Sequence, residues 1–271
     1  MLEDDHYIPN SKNAHIDTSA FELDVRTQLS GDECRVDEAL ESVYNLAFSK
    51  LSAAPQELDG GRLICRYLSP TKFLQFLQFL HSQRINFPAA TQFSDHWECR
   101  VPEDYEVAVL KVLHELGISA EGWCSLVKRK AACWSVSCWT QLDHYFDDHL
   151  MWNSYAGGPQ GVGITVRYGV LKDSLAKSVR QLAADGMLHS GSVNYEALSL
   201  LPFNKHYMFR NEKEVRFAFE TKYSSAHSVS VDDIFGSFGV RISPAATVEH
   251  HDMMRRLWLR FGGVDRVQWP L

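Results

Sequence analysis

A chain of 271 residues, 45% hydrophobic and 12% aromatic, can bury a substantial core as one large domain or a domain with an appendage. Its 34 acids outweigh its 27 bases, and the net charge of −7 argues against a nonspecific nucleic-acid binder. No apolar run nears the roughly 20 residues of a bilayer span, and the opening MLEDDHYIPN lacks the basic and apolar regions of a secretory leader, so no membrane partner and a cytoplasmic location are expected.

Residues 1 to about 30 are polar and aperiodic and read as an arm or lid. In RVDEALESVYNLAFSKL, Leu40, Val43, Tyr44, Ala47 and Leu51 recur at helical spacing. SAAPQELDGG, 52–61, breaks that helix and reads as a linker, which divides the chain into an arm and helix at 1–60 and one α+β domain at 61–271. GRLICRYLS reads as a strand. Ser69 and Pro70 suit the start of a helix whose apolar stripe is Phe73, Phe76, Leu77 and Leu80. INFPAATQFSDHWECR is a short strand and a loop, EDYEVAVLKVLHELG a helix ended by Gly117, and AACWSVSCW a strand. LDHYFDDHLMWNSYAGG is a helix stopped by Gly157. GVGITVRY is a strand and GVLKDSLAKSVRQLAADG a helix. Strands follow near 190–196, 208–220 and 228–242, and HHDMMRRLWLRFGG closes the chain as a helix. Helices early and strands late point to α+β with a mostly antiparallel sheet, not a βαβ array.

The six cysteines, at 34, 65, 99, 124, 133 and 138, form no CxxC pair and sit in apolar context, the pattern of reduced thiols. GGPQGVG follows a helix and opens a strand, the reverse of a phosphate-cradling glycine loop, so it is a stop and a turn. His144 and Asp148 lie one helical turn apart without a third ligand, and no metal is expected. No G-x-S-x-G elbow occurs.

Three segments carry chemistry. In FRNEKEVRFAFE strand alternation puts Val215, Phe217 and Phe219 on one face and Arg210, Glu212, Glu214 and Arg216 on the other. That is either a solvated outer face or a carboxylate pair projecting into a cleft. In CWSVSCW, Ser135 and Ser137 share a face and either order a neighbouring carboxylate or pack across strands. In HLMWNSYAGG, Trp152 and Tyr155 stand three apart on a helix, as core or as a platform for a flat ring.

Taken in order, CRYLSPTKFLQFLQFLHSQRINFPAATQFSDHWE, SVSCW…LMWNSYAGGPQGVGITV and NEKEVRFAF resemble a bacterial family catalogued as a domain of unknown function, number twenty-nine seventy-one, over about residues 62–245. Ser94 stands in the loop where that family usually has asparagine. Arg66, then Ser135-x-Ser137, then Glu212-x-Glu214, each on a strand, is similar to the arginine–serine–glutamate order of ADP-ribosyltransferases. That likeness implies a split sheet whose two halves hold NAD as a substrate. It implies that Glu214 stabilises the oxocarbenium ion, Glu212 takes the acceptor's proton, and Ser135, with Ser137 behind it, orients Glu214. Arg66 and Tyr67 contact the dinucleotide, Trp152 or Tyr155 stacks on nicotinamide, Arg216 keeps Glu214 ionised, and Asp95 and Glu98 brace the loop. The implied activity is ADP-ribosyl transfer or NAD glycohydrolysis by a bacterial toxin or defence effector, with an unidentified protein or nucleic acid as acceptor. Two alternatives stay open: a non-enzymatic nucleotide- or protein-binding module, and a nuclease holding metal with Asp95, Glu98, Glu212 and Glu214.

Overall fold

The structure, a computed structural model, describes residues 18–30, 36–50, 55–92, 103–142, 149–182, 187–195, 201–203, 205, 207–220, 227–231, 234–263 and 267–268. Helices α1 (Ser19–Leu29) and α2 (Val36–Lys50) precede strand β1 (Leu63–Leu68). Next come α3 (Pro70–His81), β2 (Arg84–Phe87), α4 (Glu103–Glu115), α5 (Ala120–Ala132) and β3 (Trp134–Gln141). The short α6 (His149–Ser154) leads to β4 (Val162–Arg167), α7 (Tyr168–Leu182) and β5 (Met187–Ser192). The chain ends with β6 (Glu214–Glu220), β7 (His227–Ser230), β8 (Gly239–Ile242), α8 (Val248–Arg260) and β9 (Val267–Gln268).

The described residues form a seven-stranded sheet in the order β5-β6-β3-β1-β4-β8-β9 and a small β2–β7 sheet. The large sheet is antiparallel except where β9 joins β8. The expected α+β class with a mostly antiparallel sheet and flanking helices is therefore what the chain adopts.

Pairing is uneven across the sheet. β1 pairs with β4 at six positions, Leu63 opposite Arg167 through Leu68 opposite Val162. β3 pairs with β6 from Trp134 opposite Glu220 to Thr140 opposite Glu214. Between β1 and β3 the paired positions are Ile64 with Gln141 and Cys65 with Thr140. Past Cys65 the two strands part. The segment after β2 enters the fork, where the Val136 N–H donates to the Pro88 carbonyl (2.9 Å) and Ala89 bridges Ser135.

Alternation sorts the strand side chains onto two faces. The major core takes Ile64, Trp139, Ile164, Val215, Phe217 and Val240, packed under α3, α7 and α8. The other face carries a smaller set, Cys65, Tyr67, Met151, Trp152 and Ala156 near α6, and Trp134, Val136, Phe203 and Ala218 beyond the fork. Both faces of the central strands are thus covered, which is why β3 reads as nearly continuous apolar and small residues rather than as an alternating strand.

A separate apolar cluster joins α1, α2, α4 and α5 through Phe21, Val25, Leu40, Val43, Trp123 and Leu126, among others. It corrects one expectation: residues 19–29 are helix, because Phe21 and Val25 stand one turn apart and bury together. The cluster also draws on residues either side of position 60. Ion pairs tie the cluster's surface: Lys111 to Glu22 (2.7 Å), Arg26 to Glu115, and Lys130 to Glu41.

Candidate functional site

The acid-rich segment bends where a straight strand was expected. Residues 207–212 form a 3-10 turn, Lys213 takes a left-handed φ of 44°, and β6 begins at Glu214. Arg210 and Glu212 are therefore off the strand, and Arg210 is exposed. The apolar half of the expectation holds: Val215, Phe217 and Phe219 enter the major core. Of the charged half Arg210 alone is solvated, since Glu212 and Glu214 are each 5% exposed and Arg216 is 0% exposed.

Buried charge needs partners, and these acids have them. Arg216 grips Glu214 bidentately, Nε to Oε1 at 2.7 Å and Nη2 to Oε2 at 3.0 Å, while its Nη1 donates to the Pro202 carbonyl at 2.7 Å. Lys205 Nζ donates to Glu212 Oε2 at 2.7 Å and to Glu214 Oε2 at 3.1 Å, and lies 4.7 Å from the Phe209 ring centroid. The Tyr155 hydroxyl donates to Glu212 Oε1 at 2.5 Å, and the Glu214 N–H donates to the Tyr195 hydroxyl oxygen at 2.9 Å. The cluster thus pairs two carboxylates with two cations. Burial pushes the Glu214 carboxyl upward, but Arg216, Lys205 and the Cys138 thiol together outweigh that and hold it down at about 2. Burial first, and then the bond to Glu212, push the Tyr155 phenol well above its ordinary range, so it is a neutral donor.

Register decides which expected residues meet these acids. Thr140 lies opposite Glu214 and Cys138 opposite Arg216, so those two share the acids' face. Ser135 lies opposite Phe219 and Ser137 opposite Phe217, on the core face. Ser135 is also five positions up the strand from the Glu214 pair, roughly 17 Å at strand rise. Neither serine orients Glu214, which corrects the role expected of them. Arg66 lies level with Ile164, again on the core face. Its Nη1 donates to Ser137 Oγ at 3.2 Å across the fork, and Trp139 Nε1 donates to the same oxygen at 3.0 Å. Burial draws the Arg66 guanidinium below its ordinary range, with Cys138 opposing.

Beside Arg216, the acids' face also carries Arg241, from β8. Its Nη1 donates to the Tyr67 hydroxyl at 3.1 Å, and its guanidinium lies 5.7 Å from the Trp152 ring centroid. Tyr67 meets Trp152 edge to face at 4.9 Å. Trp152 is 3% exposed, so it offers no open face for stacking; it lies over Gly163, where a Cβ would come within 3.3 Å of the indole. Tyr155, just past α6, is 42% exposed. The expected Trp152–Tyr155 platform is therefore divided: Trp152 anchors α6 to the β1–β4–β8 half of the sheet, and Tyr155 reaches the turn beside β6. Gly157 and Gly158, at φ 79° and 72°, end the segment as expected.

Lys205, Tyr195, Cys138 and Arg241 escaped the sequence reading. Their placement depends on register and on loop paths, which leave no local signal. Asp95 and Glu98, and the pair His144 and Asp148, lie outside the described residues. Among the described residues no group of three or more His, Cys, Asp or Glu side chains gathers as a metal site, and no helix is long and apolar enough to cross a membrane. Compared with family models, curated proteins and solved structures, the chain finds no match, so the reading of the site rests on its geometry.

Proposed function

We propose that the protein consumes NAD, transferring its ADP-ribosyl group to an acceptor or to water. The observation that carries this reading is the sheet's parting between β1 and β3, the strands bearing Arg66 and the serines, with Glu214 at the start of the strand next to β3 and Glu212 in the turn just before it. A split sheet of that kind is what the likeness to ADP-ribosyltransferases implies. Cleavage of the nicotinamide–ribose bond builds positive charge on the ribose, and Glu214 is an anion held ionised in a low-dielectric setting, where such charge is best stabilised. Glu212, already accepting from a hydroxyl, suits the removal of the acceptor's proton. The likeness also supplies the setting, a bacterial toxin or defence effector, with a protein or nucleic acid as acceptor.

The purified protein should release nicotinamide from NAD, and Glu214→Gln should slow this by about a hundredfold or more, the scale of losing one preorganised charge. The mutant's thermal melt, read beside the rate, separates lost chemistry from lost fold. NAD left intact by the wild-type chain, with protein and nucleic-acid acceptors supplied, ends this reading.

A second reading is favoured by the saturation of the acids: each oxygen of Glu212 and Glu214 already accepts a bond. A neutral, fully bonded cluster also suits a binding module in which it is only a brace. NAD or a related nucleotide would then raise the melting temperature without being turned over.

A further inference from the structure

We propose that Tyr155 is itself an acceptor of the ADP-ribosyl group, a built-in modification site beside the acid pair; the inference rests on the NAD-consuming reading above. Reach comes first. The Tyr155 hydroxyl lies 2.5 Å from Glu212 Oε1 and already points its proton at that oxygen, the geometry a general base needs toward a nucleophile. Access comes second. Tyr155 as a residue is 42% exposed, with its hydroxyl in a half-buried bond, whereas Trp152, three residues earlier, is 3% exposed. Among the aromatic residues expected at this site, Tyr155 is the one that meets both solvent and an acid.

Charge supplies the third argument. The far oxygen of Glu212 holds the Lys205 ammonium at 2.7 Å, and Arg216 stands behind Glu214. A guanidinium or ammonium acceptor would approach Glu212 against a like charge already seated there, while a neutral phenol carries none. The phenol's ionisation is pushed up by burial and then by Glu212, so it does not attack as a free phenolate. The proton leaves as the new bond forms.

The step balances. The bond between the ribose C1′ and the nicotinamide nitrogen breaks, and its electron pair leaves on nicotinamide. A bond forms between C1′ and Tyr155 Oη, and the phenolic proton passes to Glu212. Nothing is oxidised or reduced, and NAD is the sole co-reactant.

The test incubates the full chain with NAD labelled in its adenylate half. It follows nicotinamide release and, in the same sample, maps the label by peptide mass. The expected result is release of nicotinamide with label on residue 155, and loss of that label in Tyr155→Phe. Nicotinamide released with residue 155 unmodified, or a label that survives in Tyr155→Phe, overturns this inference and leaves the NAD-consuming reading intact. No release of nicotinamide removes both.

Discussion

At the residue scale, Glu214 poses the sharpest problem: a carboxylate 5% exposed is stable as an anion only where cations meet it. Arg216 and Lys205 do so, and the consequence is a pH dependence whose sign follows directly. The folded-state value is depressed from 4.5 to about 2, so the stabilisation is complete above 4.5 and is lost as pH falls through that window. The shift corresponds to about 3 kcal/mol. Urea unfolding measured from pH 5 down to pH 2 should show the wild-type chain losing about that much more than Glu214→Gln. Parallel profiles for the two chains would show that the ion cluster is not coupled to folding. The sequence made the acids, Arg216 and their closeness visible, because these depend on neighbours in the chain. Lys205, seven residues before Glu212 in an aperiodic stretch, was out of reach of that logic. So was the bend at Lys213, whose left-handed φ of 44° is one that a non-glycine residue seldom adopts.

At the scale of elements, α6 is the piece that ties the halves of the parted sheet together on the acids' face. Trp152 within it is bedded on Tyr67 and Gly163, and the chain just past its C-terminal end carries Tyr155 to the turn beside β6. Gly163 is what lets α6 sit this low. A Cβ there would come within 2.8 Å of Cys65 Sγ and 3.3 Å of the indole, with Arg241 Cβ at 3.5 Å. Gly163→Ala should therefore lower stability by about 1–3 kcal/mol, the cost of overpacking a filled site, and a calorimetric melt measures it. A wild-type melting temperature in that variant would mean α6 is not seated as described. Most elements were legible because their periodicity was strong: α3 shows its buried Phe73, Phe76 and Leu77 at helical spacing, and β4 its alternation. α5 was not, since AEGWCSLVKRKAA buries Trp123, Leu126 and Val127 on a narrow stripe amid charged and small residues. The parity of Ser135 against Glu214 was also illegible. A one-residue change of register reverses which side chains share a face, and nothing local in two distant strands reports it.

At the scale of the whole molecule, two bodies of packing share one chain: the sheet with its major core, and the α1–α2–α4–α5 cluster. Composition and length could suggest a sizeable core but not that α1 and α2 pair with helices whose facing residues stand 89 positions further on, across β1, α3 and β2. The linker-like stretch before β1 also belongs to the fold. The Gln56 carbonyl accepts from the Ser192 N–H at 2.9 Å, and Gly60 lies so close to Gly169 that a Cβ on the latter would meet its Cα at 2.9 Å. A chain beginning at residue 61 would lose Phe21, Val25, Leu40, Val43, Tyr44 and Ala47 from the cluster and bare the inward faces of α4 and α5. Burial of those side chains amounts to on the order of 10 kcal/mol, roughly the whole net stability of a folded domain. Trp123, fully buried against Tyr44 and its neighbours, would be left facing water on the helix that leads straight into β3. That shortened chain should aggregate or bind a hydrophobic dye on expression, with tryptophan emission shifted to the red relative to the full chain. A soluble 61–271 fragment that melts cooperatively at the temperature of the full chain would instead make α1 and α2 an appendage, and the rest of the chain with its acid pair a domain complete in itself.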